Sequence, residues 1–164
     1  MEQNNTVYTF LKEFKAGDVL FREGDESSCM YEVQKGKVDL YIGYGTPSQK
    51  KIAEVGPERF IGEMGMVEGL KRSATAVVST DFTVLAKVTW DVFGLYFKKK
   101  PAKVVQIMQQ MGDRLRITTK SAMDLKNAVN EAIDVIQDGG EKADALIILK
   151  DGIHAMDATL ENNK

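Results

Sequence analysis

Glu63 and Arg72 stand nine residues apart in a stretch, IGEMGMVEGLKRSATA, that also carries Gly62, Gly65 and Gly69. A glycine inside a regular element costs roughly 0.5–1 kcal/mol of backbone entropy, so three of them argue for something that must approach the main chain. A small anion would fit. A short helical turn over residues 65–68 leaves its first amides unpaired and aimed outward. The planar guanidinium of Arg72 grips two oxygens of a phosphate, where a lysine offers only a point charge. Glu63 cannot serve the anion; a carboxylate there accepts hydrogen bonds from hydroxyls, such as the 2'-hydroxyl of a ribose, and balances the arginine. The plainer alternative is a set of loop glycines with an ordinary Glu63–Arg72 ion pair. Replacing Arg72 would then cost about 0–1 kcal/mol.

The elements that must position these residues are strands first and helices later. From Val7 to about Lys87 the chain breaks into the short β-rich pieces VYTFLKEF, DVLFR, CMYEVQK, KVDLYIGY, QKKIAEV, RFIGE, TAVVST and FTVLAKV, many of them alternating apolar with polar residues. Glycine-containing turn signals separate them. Eight such strands predict a mainly β fold, an eight-stranded jelly-roll barrel over residues 1–100, whose mouth has room for one small ligand.

After Trp90 the pattern turns helical. A short helix reaches about Tyr96, and a long one opens at Pro101, a residue welcome in a first turn. Val104, Met108, Met111, Leu115, Thr118, Ala122, Leu125, Val129, Ala132 and Ile136 alternate spacings of four and three, the seam of a left-handed coiled coil. This helix, residues 101–137, would be roughly 55 Å long at 1.5 Å per residue. A 100-residue domain has a radius of gyration of only about 13 Å, so the far half is expected to overhang and to need a partner: a second copy in a homodimer, or the tail folded back. Gly139-Gly140 stops it, and in the tail, residues 138–164, Leu146, Leu149, Ile153, Met156 and Leu160 mark a second amphipathic helix with Gly152 as a weak point.

Composition excludes several classes. With 22 positive side chains against 24 negative ones, a duplex-binding face is disfavoured. The opening MEQNN lacks the basic and apolar regions of a secretory signal, and the apolar runs are far shorter than the roughly 20 residues of a membrane span; a cytoplasmic protein without membrane association is expected. Cys29 and His154 are each alone of their kind, so they supply neither a disulfide nor a metal cluster, and both read as structural. No metal or other cofactor is expected. The three lysines at 98–100 read as a solvated face.

The glycine stretch resembles the phosphate-binding cassette of the cyclic nucleotide-binding domain family, shared by the catabolite activator protein, the regulatory subunits of protein kinase A and cyclic-nucleotide-gated channels. Its elements are Ile61, Gly62, Glu63, Met64, Gly65 and Met66, the loop 67–71, then Arg72, Ser73 and Ala74. The Glu-to-Arg spacing is similar to that of the kinase regulatory subunits more than to the bacterial activator. The likeness extends over roughly residues 7–135, with an earlier signature at Leu20-Phe21, Gly24-Asp25, Met30-Tyr31, Val33 and Gly36; Ser27 and Glu32 depart from it. The resemblance implies that Gly62 and Glu63 hold the ribose 2'-hydroxyl and Arg72 the cyclic phosphate. Ser73 and the amides of Met64, Gly65 and Met66 would complete the anion site, and Thr118 and Thr119 would reach the base. Thr118 reads equally as a polar residue that sets the register of the seam.

The expected function is a non-catalytic cyclic nucleotide-binding regulatory module, with cyclic AMP ahead of cyclic GMP, that moves its C-terminal helices and signals to a protein partner through the tail. One alternative is a truncated or divergent activator-family transcription regulator, but the stretch beyond Gln137 is short and lacks a basic recognition helix. Another is a jelly-roll enzyme, which would need about three converging metal ligands, while the β region contains no histidine and the chain no Walker-type or GxSxG motif.

Overall fold

The structure, a computed structural model, describes residues 10–162, with the side chains of 159–162 left aside. The expected extension of the first strand back to Val7, and the side chain of Leu160, lie outside the described residues. Eight strands come first: β1 (Phe10–Phe14), β2 (Val19–Phe21), β3 (Cys29–Lys35), β4 (Val38–Ile42), β5 (Lys50–Val55), β6 (Phe60–Ile61), β7 (Thr75–Val78) and β8 (Thr83–Thr89). A short helix α1 (Glu63–Glu68) sits between β6 and β7, and α2 (Trp90–Lys99), α3 (Ala102–Gln137) and α4 (Lys142–Asn162) come after the strands.

The strands form two antiparallel four-stranded sheets, in the orders β1-β8-β3-β6 and β2-β7-β4-β5. The expected barrel is therefore not closed. β6 has two residues and β2 three, too few to carry a ladder from one sheet into the other. Val33, Val38, Leu40, Val55, Ile61, Ala76, Val78 and Leu85 build the core, as the two-residue pleat of each strand dictates.

The same pleat sends a second set of side chains to the far face of the first sheet, where Met30, Glu32, Phe60, Ala86 and Val88 are also buried. In the ladder Glu32 lies opposite both Phe60 and Ala86, and Met30 opposite Val88. α2 covers this face: the Tyr96 ring meets the Phe60 ring edge-on at 6.4 Å, and Phe97 and Phe93 extend the aromatic cluster. Glu32, which interrupts an apolar run in the sequence, thus lies beneath a helix.

The chain falls into two compact units, residues 1–110 and 111–164, that divide within α3. In the second, α3 and α4 form a helical hairpin across Gly139, whose φ of 80° suits glycine, and Gly140, whose N–H donates to Val135 O at 2.8 Å. Small residues are buried along the hairpin: Ser121, Ala128, Ala132 and Ala145. A Cβ at Gly152 would lie 2.1 Å from Ala128 Cβ, so Gly152 is a point of close approach between helices. The predicted seam is largely exposed, with Val104, Met108, Leu115, Val129 and Ile136 open and only Ala132 fully buried. α4 approaches α3 at Ala128, where a small side chain lets two helices come closer than a leucine would.

Candidate functional site

Gly62 ends β6 with φ 75° and ψ 10°, the left-handed region that glycine enters without strain, and caps the start of α1. That turn starts the helix at Glu63, two residues before the position expected from sequence, and shortens the sixth strand to Phe60 and Ile61. A Cβ on Gly62 would stand 2.2 Å from Arg72 Nη1. Glycine is required there both by conformation and by the guanidinium lying against it. One on Gly65 would meet Leu70 O and Ser27 Oγ, each at 2.8 Å, and Ser27, which departs from the family pattern, is thereby seated against the cassette. Gly69, at φ 68°, closes α1.

Two charged side chains converge on this turn from the first unit. Glu63 is 1% exposed and Arg72 5%. The main chain of Arg72 is tied to the Gly24-Asp25 turn: Gly24 N donates to Arg72 O at 2.9 Å and Arg72 N to Asp25 O at 2.9 Å. The Asp25 carboxylate in turn accepts from Arg22 N at 2.8 Å. This bracing gives the Gly-Asp signature its physical meaning. The guanidinium donates from Nη1 to Gly62 O at 2.8 Å and from Nη2 to Cys29 O at 2.6 Å, and stacks 4.2 Å from the centre of the Phe21 ring. Its Nε is buried without a hydrogen-bond partner among the described residues. A buried donor on a charged group is costly to leave unmatched.

Beside it, Phe21 and Tyr31 stack at 6.5 Å. Burial pushes the Tyr31 hydroxyl up to about 12, the neighbouring Cys29 thiol adding to the rise and the Arg72 guanidinium opposing it. Cys29 reads from sequence as a strand hydrophobe, yet its carbonyl and thiol both face Arg72, the Sγ at 3.6 Å from Nη2. No residue-type pattern announces a backbone carbonyl, so that role had no sequence signal.

Gly62, Glu63, Met64, Gly65, Met66 and Arg72 are therefore brought together; Gly65 and Met66 are buried, Met64 half-buried, and Ser73 is exposed next to Arg72. Thr118 and Thr119 lie on α3 in the second unit, both exposed. The arrangement sets a buried guanidinium at a glycine turn beside a buried carboxylate. Among the described residues no group of three or more His, Cys, Asp or Glu side chains could hold a metal ion. Among those residues, too, no helix is long and apolar enough to cross a membrane, and α4 is the single helix beyond α3.

Residues 11–98 match the family described as the cyclic nucleotide-binding domain. The chain is 31% identical over 87 residues to a cAMP-dependent protein kinase regulatory subunit of Dictyostelium discoideum, covering 52% of this chain and 27% of that one. It is 29% identical over 103 residues to the cyclic AMP receptor protein of Thermus thermophilus, covering 63% and 47%. It thus spans from about a quarter to about half the length of these relatives. Among solved structures, the catabolite activator protein of Thermus thermophilus superposes with a TM-score of 0.62 at 20% identity over 94% of this chain and 79% of that one, a likeness of fold.

Proposed function

Because the chain belongs to the cyclic nucleotide-binding domain family, we propose that it is a non-catalytic cyclic nucleotide sensor taking cyclic AMP ahead of cyclic GMP, with Arg72 meeting the cyclic phosphate and Glu63 the ribose 2'-hydroxyl. The observation that carries this reading is the buried Nε of Arg72, a charged donor without an acceptor among the described residues, set at a glycine turn beside a buried carboxylate. The fit is chemical. A cyclic phosphate supplies an anionic acceptor for that donor, first-turn amides of α1 such as that of Gly65 and the hydroxyl of Ser73 supply further donors, and a ribose supplies the hydroxyl for Glu63; the Met66 amide, expected among the donors, falls at the first i→i−4 bond of a helix that starts at Glu63. The names of the kinase regulatory and receptor relatives favour cyclic AMP.

In this reading residues 1–100 bind the nucleotide, the helix over 101–137 responds, and the tail over 138–164 meets a partner protein, all in the cytoplasm. Thr118 and Thr119 contact the base. Ligand biases the helices only through its differential affinity for their two arrangements. The exposed apolar side chains of Val104, Met108, Leu115, Val129 and Ile136 support pairing of two copies along α3; sedimentation at tens of micromolar protein should show a dimer, and a strict monomer removes that part.

The nucleotide reading is tested by calorimetric titration of cyclic AMP and cyclic GMP into the wild type and Arg72→Ala. Removing one partner of a buried charge pair costs about 3–5 kcal/mol, a weakening of about 150-fold to about 4,000-fold. Equal affinities of the two proteins would reject the role of Arg72.

A further inference from the structure

β6 is an edge strand. It pairs with β3 on one side only, and an edge leaves a row of main-chain donors and acceptors that must find partners elsewhere. At Phe60 the partner is a side chain. Gln110 on α3 accepts from Phe60 N at 3.0 Å through its Oε1 and donates to Phe60 O at 2.6 Å through its Nε2. Gln110 itself is buried. A carboxamide is the side-chain group that presents an acceptor and a donor side by side, as a neighbouring strand would.

The same ladder rung is held a second time. Glu32, opposite Phe60 on β3, accepts from Lys103 Nζ at 2.8 Å and from the Tyr96 hydroxyl. Lys103 and Gln110 are seven residues apart, two helical turns, so one face of the first part of α3 grips both strands of one rung. Two residues beyond Phe60 stands Gly62, whose carbonyl accepts from Arg72 Nη1, and next to it Glu63.

We propose that Gln110 is a positioning residue for the ligand site: by pairing with both main-chain groups of Phe60 it fixes β6, and through β6 the Gly62 carbonyl and the Glu63 carboxylate. The proposal rests on the nucleotide reading for its effect on affinity, and on the hydrogen bonds alone for its effect on β6. α3 cannot shift along its axis without parting the carboxamide from Phe60, so the position of the helix and the geometry of the anion turn are linked, and the linkage acts equally in both directions.

The test uses the full chain with Gln110→Met, which keeps length and loses both hydrogen bonds, and Gln110→Glu. Two measurements are made at a temperature where each variant is folded. Hydrogen exchange without ligand should show faster exchange at residues 60–63 in both variants, and wild-type exchange there overturns the clamp. Calorimetry with cyclic AMP should show affinity reduced about tenfold, equivalent to about 1.4 kcal/mol, and an unchanged dissociation constant overturns the positioning role. Gln110→Glu carries an internal rescue. A protonated carboxyl has a carbonyl acceptor and a hydroxyl donor and so imitates the carboxamide, whereas the carboxylate has no donor for Phe60 O.

Its affinity relative to wild type should therefore recover as pH falls from 8 to 5.5. Ionisable groups near the rung include Glu32, Tyr96, Lys100 and Lys103, with Arg59 next to Phe60 and Asp113 and Arg114 one turn beyond Gln110 in sequence; Glu32 is held below the ordinary carboxylate range and Tyr96 above the ordinary phenol range, which keeps those two out of the window. A merely structural defect predicts a relative affinity that stays flat with pH, and that result also overturns the proposal. If the wild type binds no cyclic nucleotide while the exchange result holds, the nucleotide reading and the affinity role fall together and the strand clamp stands by itself.

Discussion

Lys103→Met would leave the Glu32 carboxylate in place beneath α2 without its cation. Glu32 is 2% exposed and Lys103 18%. Removing one member of a buried pair costs about 3–5 kcal/mol, and since the ammonium end keeps some solvent the low end, about 3 kcal/mol at pH 7, is expected. For a chain of this size that is about 6–12 °C in Tm. The pH dependence separates this cause from lost packing. Burial alone pushes the Glu32 carboxyl up, but hydrogen bonds from Lys103 and Tyr96, with the charges of Lys103 and Lys100, outweigh it and hold the group below its ordinary value. A depressed folded value means stability that is present above the unfolded value, about 4.3 for a glutamate, and is lost as pH falls through the folded one.

In Lys103→Met the hydrogen bond and the charge that oppose burial are both weakened and the carboxyl rises. Its protonation on acidification then relieves the variant. The stability difference between variant and wild type should accordingly shrink between pH 7 and pH 5. Urea melts at the two pH values measure it. Replacing the whole cluster with Glu32→Leu, Tyr96→Phe and Lys103→Met should recover most of the loss, because apolar residues of similar volume need no partners. A single-variant penalty under about 1 kcal/mol with no change across that pH range would refute the reasoning.

Two further expectations concern glycines. Gly62→Ala forces a side chain into the left-handed region and against Arg72 Nη1 at 2.2 Å; about 1–3 kcal/mol of stability should be lost, and cyclic AMP binding with it, by the same melts and calorimetry. Gly152→Ala drives a methyl to within 2.1 Å of Ala128 Cβ and should part the α3–α4 hairpin at a cost of about 1–3 kcal/mol, read as faster hydrogen exchange in α4, with recovery when Ala128→Gly is added.

The strands were legible because each is a short alternating run between glycine turns, and the pleat translates alternation directly into an inside and an outside. Arg72 and Glu63 stood out in the sequence because an arginine and a carboxylate around closely spaced glycines have few structural uses, and the structure buries both. What pairs across long separations was not. Glu32 reads as a flaw in an apolar strand, and only the fold brings Lys103 to it. Gln110 reads as one polar residue on a helix, and its partner is main chain, which has no letter of its own. On α3 the large residues dominate the periodic signal, while the close approach of α4 is at Ala128, whose small side chain contributes little to such a pattern. The short sixth strand was overdrawn because the left-handed turn at Gly62 ends it, a conformation that the letter G permits without announcing.

The reciprocal pair of main-chain bonds between Arg72 and the Gly24-Asp25 turn fixes where the guanidinium is rooted independently of the peptide that runs up to it. Lys71 is exposed between that root and the Leu70 N–Gly65 O bond at the end of α1. Extra residues spliced in on either side of Lys71 would bulge into solvent while the arginine stays where the turn pins it and the cap at Gly69 stays closed, which makes this spot a natural graft point for a fluorophore that reports on the cassette.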